Sequence, residues 1–148
     1  MSSRSLSSLR RVFLDTGAYF AVAVSQDANH PQAISILERL AQQPSRLFTT
    51  NFVVAETHAL LLARRGRDLA ARVLGEIDRS RTTIVRLRHQ DEQRARQIIL
   101  QYTDKSFSFT DATSFSVMER LGIDTAFTFD RNFAQYGFQA LGVMPGPE

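Results

Sequence analysis

Apolar and polar positions along the chain form blocks that predict strands and helices in a regular order. Short apolar runs rich in β-branched and aromatic residues are typical of strands buried on both faces of a sheet. The intervals between them repeat apolar residues every three or four positions, which predicts helices, two in most intervals. The predicted strands cover residues 12–14, 46–50, 82–87 and 126–129, with a possible short last strand at 139–141.

This alternation predicts an α/β protein with helices on both faces of the sheet, in three layers. The central sheet should be mainly parallel, with four to five strands. A chain of 148 residues is most simply one domain. We expect residues 1–10, which are rich in serine, to form a frayed leader, and residues 11–148 to form the single domain.

Two helices in this pattern matter for the chemistry. Asn51 is predicted to cap a helix whose residues are apolar almost all round, so we expect that helix to be buried, with Glu56 inside it. An extended loop over residues 106–110 should then lead into a helix that opens at Asp111.

Composition narrows the range of functions. The chain has no cysteine, which excludes disulfides and thiolate zinc sites. It carries 18 Lys and Arg against 15 Asp and Glu, and 17 of the 18 cations are arginine, the residue best shaped for bidentate phosphate contact. No stretch approaches the roughly 20 apolar residues of a membrane span. We therefore predict a cytoplasmic protein without membrane contact.

Four acidic residues stand in unusual settings. Asp15 and Asp130 each end an apolar strand, Asp111 stands at a helix start, and Glu56 lies within the most apolar helix. Each has a structural alternative: the aspartates can cap helices, and Glu56 can pair with an arginine. Taken together they suggest a site, because the carboxyl ends of neighbouring parallel strands meet at one edge of the sheet, where ligands bind.

Carboxylates crowded at one edge repel each other, and a cation would relieve that repulsion. Hard oxygen ligands without cysteine favour Mg²⁺ or Mn²⁺ over Zn²⁺. Such ions can activate water and stabilise charge on a leaving oxygen, so the residues point to metal-assisted phosphodiester hydrolysis.

Four motifs in this order carry a resemblance to a known family. The chain resembles PIN-domain ribonucleases, and within them the VapC-type toxins of bacterial type II toxin-antitoxin pairs. The likeness covers nearly the whole chain, with a leader of about ten residues as a minor departure. The motifs are Phe13-Leu14-Asp15-Thr16, Val54-Ala55-Glu56, Ser108-Phe109-Thr110-Asp111-Ala112, and Thr128-Phe129-Asp130-Arg131-Asn132-Phe133 followed by Gly137-Phe138.

This resemblance implies a PIN-like fold and assigns roles to individual residues. The acidic quartet would both hold the metal and carry catalysis, with hydroxyl side chains supporting it from behind. It also implies RNA as substrate, Mg²⁺ or Mn²⁺ as cofactor, a homodimer, and an antitoxin protein bound over the site. The implied acids are Asp15, Glu56, Asp111 and Asp130, and the supporting hydroxyls are Thr16, Thr110 and Thr128.

Charge outside the quartet fits a polyanionic substrate. Setting the four acids aside leaves a chain more basic than its formal net charge of +3, and such a surface attracts RNA. Lys105 and Arg131 are the cations nearest the proposed acids in sequence, and we expect them to contact RNA phosphates.

Two other classes of function stay open at this point. The chain could be an RNA-binding or structural PIN-like module without catalysis. It could also be a dimeric aspartic protease, since residues 14–18 contain the Asp-Thr-Gly signature in which paired aspartates share a proton. No second copy of that signature exists in the chain, and the protease fold is mostly β.

Overall fold

Five parallel strands form the centre of the protein. The computed structural model describes residues 9–144. Its strands lie in the order β3-β2-β1-β4-β5, and every neighbouring pair is parallel. Most of the expected leader, and residues 145–148 of the expected domain, fall outside the described residues. The prediction of a mainly parallel sheet of four to five strands is confirmed.

The helices connect the strands in the predicted order. The elements are β1 (Arg10–Leu14), α1 (Thr16–Ala23), α2 (His30–Gln42), β2 (Ser45–Thr50), α3 (Asn51–Arg65), α4 (Arg67–Arg79), β3 (Thr83–Val85), α5 (His89–Gln101), α6 (Phe109–Leu121), β4 (Thr125–Phe127), α7 (Arg131–Tyr136) and β5 (Gln139–Leu141).

Side chains of β1 alternate between the two faces of the sheet and pack in two separate hydrophobic clusters. Phe13 packs with residues of α5, α6 and α7, including Ile98, Phe115 and Phe133. Val12 and Leu14 pack on the other face, against α1 and α2. Because successive strand residues point to opposite faces, a run buried throughout requires helices on both sides. The predicted three-layer α/β/α arrangement is therefore confirmed.

Register aligns the ends of the central strands. Leu14 of β1 is paired with Phe127 of β4, and the Asp15 amide donates to the Phe127 carbonyl at 3.1 Å. On the other side of β1, the Thr49 hydroxyl donates to the Leu14 carbonyl at 2.9 Å. These contacts fix the backbone just before Asp15, at the carboxyl edge of the sheet.

Helix α3 differs from its prediction in two ways. Only Val53, Thr57 and Leu61 are buried, while Leu62 is 47% exposed. The three buried residues are spaced four apart and form one stripe. Val54 and Leu60 are half-buried against the core beside it, whereas the three alanines of the helix and Leu62 are exposed. The expectation of a fully buried helix was wrong.

The cap of α3 is Thr50, not Asn51 as predicted. The Val53 amide donates to the Thr50 hydroxyl at 3.1 Å. Asn51 is the first residue of the helix, and its side-chain oxygen accepts a hydrogen bond from the Leu87 amide at 3.0 Å. Asn51 therefore ties the start of α3 to the segment that follows β3.

Helix α6 begins two residues earlier than predicted, at Phe109. Ser108 is its cap, and Asp111 is the third residue of the helix. The two side chains form a reciprocal capping box, in which each accepts a hydrogen bond from the other's backbone amide. At the far end, the Arg11 guanidinium donates to the carbonyls of Leu121 and Gly122.

A buried ion pair fastens α5 to α6, the helix that carries Asp111. The Nε and Nη2 atoms of Arg120 donate to the two carboxylate oxygens of Asp91, at 2.8 and 2.9 Å. The Asp91 side chain is 2% exposed. Burial raises the pKa of Asp91, but hydrogen bonds from Arg120 and from the Arg88 amide outweigh it and hold that pKa below its usual value. The ionised form is therefore the one that the fold stabilises.

We expect Asp91→Asn to lower the free energy of unfolding at neutral pH by about 2–3 kcal/mol, because it leaves Arg120 without its buried partner. A carboxylate with a lowered pKa in the folded state adds stability above its unfolded pKa and loses it as the pH falls. Urea unfolding should therefore show the two proteins converging at acid pH. Asp68→Asn, which removes an exposed pair with Arg67 in the first turn of α4, is the control and should lower the free energy of unfolding by less than about 1 kcal/mol. A difference between wild type and Asp91→Asn that is constant at all pH values would contradict this account.

Candidate active site

Asp15 is the buried centre of the site. It follows β1 directly and is 5% exposed. It occupies the N-cap position of α1, yet its side chain makes no capping hydrogen bond there. Its Oδ2 atom instead accepts a hydrogen bond from the Thr128 hydroxyl at 2.8 Å. The alternative that Asp15 is simply a helix cap is therefore wrong.

Thr128 links two of the acids and is fully buried. The Asp130 amide donates to the Thr128 hydroxyl oxygen at 3.0 Å. That oxygen accepts from the backbone, so its own proton is available to Asp15. Thr128 therefore holds the Asp15 carboxylate and the Asp130 main chain at the same time.

Asp130 and Asp111 do cap helices, as the structural alternative proposed. Asp130 accepts from the Asn132 amide at 2.9 Å and caps α7. Asp111 accepts from the Ser108 amide at 3.2 Å within the capping box. The Asn132 side chain then donates to Asp111 Oδ2 at 3.2 Å. Asn132 thus bridges the loop of Asp130 to the helix of Asp111.

The three aspartates lie close enough to affect one another's ionisation. Burial is the main cause that raises the pKa of Asp15, to about 7; the Thr128 hydrogen bond lowers it, and the charges of Asp111 and Asp130 raise it. Burial also raises the pKa of Asp111, with the Asp130 charge as the next cause. Sequence reasoning had expected this mutual repulsion, and the structure brings these three acids together.

No hydrogen bond or ion pair of residues 9–144 brings Glu56 into this network. It lies half-buried in the second turn of α3. The alternative of a salt bridge from Glu56 to an arginine finds no support in the described part of the chain, where no ion pair includes Glu56. Its role in the site stays a prediction.

The remaining candidates differ in their surroundings. The Thr16 hydroxyl is buried next to Asp15 and has no hydrogen-bond partner within residues 9–144. Thr110 is half-buried at the start of α6, and its carbonyl accepts from the Thr113 hydroxyl at 2.7 Å. Lys105 lies 3.4 Å from the carboxylate of its neighbour Asp104. Arg131 is exposed as the first residue of α7.

The chemistry of the donors fits a hard divalent cation. All are oxygens, the carboxylate of Asp15 is buried among like charges, and the Thr16 hydroxyl is an unpartnered polar atom beside it. Within the described residues, no three His, Asp or Glu side chains are grouped tightly enough to surround one ion as they stand. The residues therefore fit a hard cation in their charge and in their ligand atoms, while some of the carboxylate oxygens accept helix-cap hydrogen bonds.

Asn132 and Ser108 are site residues that our sequence reasoning did not single out. Both lie within the quoted motifs, and both contact Asp111. Asn132 stands two residues after Asp130 and Ser108 three before Asp111, spacings that are typical of side chains that bond the start of a helix. That local signal could have identified them.

A parallel α/β sheet with aspartates gathered at its carboxyl edge defines the class of protein, a PIN-like fold with an acidic pocket. The family model described as PIN domain matches residues 12–139. The chain belongs to the PIN-domain family.

Relatives place it close to VapC proteins. The chain is 37% identical over 131 residues to the 23S rRNA-specific endonuclease VapC20 of Mycobacterium tuberculosis, an alignment covering 86% of this chain and 95% of that protein. It is 26% identical over 120 residues to ribonuclease VapC26 of the same organism, covering 81% of this chain and 87% of that one. The resemblance to VapC-type proteins is confirmed.

A solved structure has the same fold. The crystal structure of M. tuberculosis VapC20, described as a Sarcin-Ricin loop cleaving toxin, superposes with a TM-score of 0.79 at 31% identity, covering 90% of this chain and 99% of that one.

The dimeric aspartic protease alternative was wrong, because the sheet is parallel and flanked by helices rather than part of a mostly β fold. Among the described residues, no helix has the length and apolar character needed to cross a membrane.

We expect Asp15→Asn to stabilise the metal-free protein, and to do so more as the pH rises. The folded carboxyl has a pKa of about 7, against 3.8 as the ordinary value. Between these values the folded protein holds a proton that the unfolded chain has lost, so wild-type stability falls as the pH rises towards 7. The Asp15→Asn protein has no carboxyl at this position, so its free energy of unfolding does not fall in this way. It should gain a few kcal/mol above pH 7, since one pKa unit corresponds to about 1.4 kcal/mol.

Urea unfolding in EDTA across this pH range measures the effect. Asp104→Asn, which changes an exposed acid in the loop before α6, is the control and should follow the wild type. If the Asp15→Asn protein shows the same pH dependence as the wild type, the Asp15 carboxyl is not the buried group described here.

Proposed function

We propose that this chain is a metal-dependent ribonuclease that hydrolyses RNA phosphodiester bonds as the toxin of a type II toxin-antitoxin pair. The observation that carries the proposal is the gathering of Asp15, Asp111 and Asp130, in which burial and mutual charge raise the pKa of Asp15 and Asp111. Like charges held together in a buried place favour the binding of a cation.

Asp15, Asp111 and Asp130 would hold a Mg²⁺ or Mn²⁺ ion, with Glu56 as the fourth acid. When bound, such an ion lowers the pKa of water and stabilises negative charge on phosphate oxygens. The protein's own residues set the positions of the carboxylates. Thr128 orients Asp15, and Asn132 holds Asp111 against the α7 start. Thr16 and Thr110 are proposed as supporting hydroxyls, and Lys105 and Arg131 as phosphate contacts.

The relatives support this choice of substrate and partner. VapC20 is named for 23S rRNA and its structure for cleavage of the Sarcin-Ricin loop, so we propose RNA as the substrate here. The structure of Rickettsia felis VapBC2 bound to a promoter DNA fragment shares the fold, with a TM-score of 0.67 at 15% identity, covering 88% of this chain and 96% of that one. By family likeness we propose a cognate antitoxin, a homodimer and a cytoplasmic location.

Removing one acid should abolish cleavage. Asp15→Asn, Asp111→Asn, Asp130→Asn and Glu56→Gln are each expected to lower kcat on an RNA substrate by roughly a hundredfold or more, because each removes a ligand of an ion that supplies several kcal/mol of transition-state stabilisation. Glu92→Gln, which changes a half-buried acid in α5, is the matched control and should cleave like the wild type. EDTA should abolish wild-type cleavage and Mn²⁺ restore it. Cleavage that persists in EDTA would contradict the mechanism, and retained cleavage by one variant would remove that residue from it.

Binding of the ion should also be visible without RNA. Saturating Mn²⁺ is expected to raise the wild-type Tm by roughly 5–10 °C at a concentration a hundredfold above Kd, since a ligand of the folded state stabilises it by mass action. The Asp15→Asn protein should show a much smaller rise. Equal melting of the wild type with and without saturating Mn²⁺ would count against an ion at this site, and would leave RNA binding without catalysis as the remaining reading.

A further inference from the structure

Two phenylalanine rings connect the helices that carry Glu56 and Asp111. Phe52 lies in the first turn of α3 and Phe109 is the first residue of α6; their ring centroids are 6.0 Å apart, with the planes inclined at 64°. Phe52 precedes Glu56 by one helical turn, on the same side of α3. Phe109 precedes Asp111 by two residues. The ring pair therefore lies at the carboxyl edge of the sheet, beside the acidic site.

These two rings are more exposed to solvent than most phenylalanine rings of the chain. Seven phenylalanines of the chain are buried, whereas Phe52 and Phe109 are only half-buried. Phe109 packs against the core on the α5 and α6 face. Phe52 belongs to none of the core clusters formed by the described residues. It packs on Phe109 and leaves aromatic surface open beside the site.

Arg96 adds a positive charge to this place. Its guanidinium lies over the Phe109 ring, 5.0 Å from the centroid. Its neighbour Arg94 is paired with Glu119, and Arg120 with Asp91. Arg96 is exposed and has no carboxylate partner within residues 9–144. A guanidinium stacked on an aromatic ring keeps its N–H groups available at its edge, in a geometry that suits phosphate.

We propose that Phe52, Phe109 and Arg96, here called the aromatic-arginine patch, bind an unpaired nucleotide of the RNA next to the bond that is cleaved. The base stacks on Phe52 and the phosphate contacts Arg96. This inference rests on the proposed ribonuclease function. The three aspartates of the site repel a polyanion such as RNA. A cation such as Arg96 close to them would offset this repulsion.

The patch also selects the form of the substrate. An aromatic ring offers a stacking surface to any base, without a preference for sequence. A base inside a duplex is already stacked on its neighbours and cannot reach such a ring without being extruded. The proposed ligand is therefore a single-stranded or looped segment of RNA.

The test measures RNA binding apart from cleavage. In an Asp15→Asn background with EDTA, fluorescence anisotropy is recorded with a labelled single-stranded RNA oligonucleotide and with the duplex of the same sequence. Phe52→Ala should weaken binding of the single strand about tenfold or more, the loss of one base stack, and Phe52→Trp should retain it. Binding of the duplex should be unchanged by either substitution. Arg96→Ala should make the dependence of the single-strand affinity on salt less steep by about one phosphate contact.

Arg46→Ala is the matched control, because Arg46 also lies over a phenylalanine ring, that of Phe48 at 5.3 Å, but near the start of β2 at the opposite edge of the sheet. It should leave the salt dependence as in the parent. Thermal melting confirms that each variant is folded. The inference is overturned if folded Phe52→Ala binds the single strand like the parent, if Phe52→Trp loses as much as Phe52→Ala, or if the parent binds no RNA. The proposed function is decided separately, by the EDTA sensitivity of cleavage by the wild type.

Discussion

Holding the Asp15 carboxylate in a buried place among like charges is the constraint on which the rest of the structure depends. A carboxylate that is 5% exposed and near two other acids is unfavourable in its ionised form. The protein keeps it there by placing Asp15 after the central strand, where the Thr49 hydroxyl on one side and the Phe127 carbonyl on the other hydrogen-bond to the main chain. Hydrogen bonds from the Thr128 hydroxyl and the Thr16 backbone lower the pKa of Asp15 but do not offset its burial.

The ionised forms of the other two aspartates are stabilised in a different way. Asp111 and Asp130 each accept hydrogen bonds at a helix start, where backbone amides and the helix dipole favour negative charge. These bonds restrain each carboxylate before any ligand arrives. The alternatives weighed from the sequence, cap or site, are thus not exclusive. In Asp111 the cap bond and the Asn132 bond that joins the two segments both go to Oδ2, so within residues 9–144 its Oδ1 atom stays available for other contacts.

The sequence predicted the features that depend on period and order. The strand at 139–141 was found to the residue, and the apolar run at 12–14 forms the buried last three residues of β1, which begins two residues earlier. The meeting of Asp15, Asp111 and Asp130 followed from parallel topology. Exposure of α3 was missed, since composition does not tell which stripe of an apolar helix faces the core. Thr50 displaced Asn51 as the cap because the Asn51 side chain is bonded to Leu87, a partner 36 residues away that no local pattern indicates.

The helices that carry Glu56 and Asp111 are held in place by different contacts. Helix α6 is fixed at its start by Ser108, and at its last turn by Arg11 and by the Asp91–Arg120 pair. Helix α3 is held at its start by Thr50 and Asn51 and by the ring of Phe52 against Phe109. Beyond that turn, Thr57 and Leu61 are buried, and Leu60 and Leu61 pack with residues of α1 and α4. The first turn of α3 leads directly to Glu56, and an RNA base stacked on Phe52 as proposed would contact that same turn. If RNA binds at Phe52 as proposed, substrate binding and the position of Glu56 are linked through this first turn.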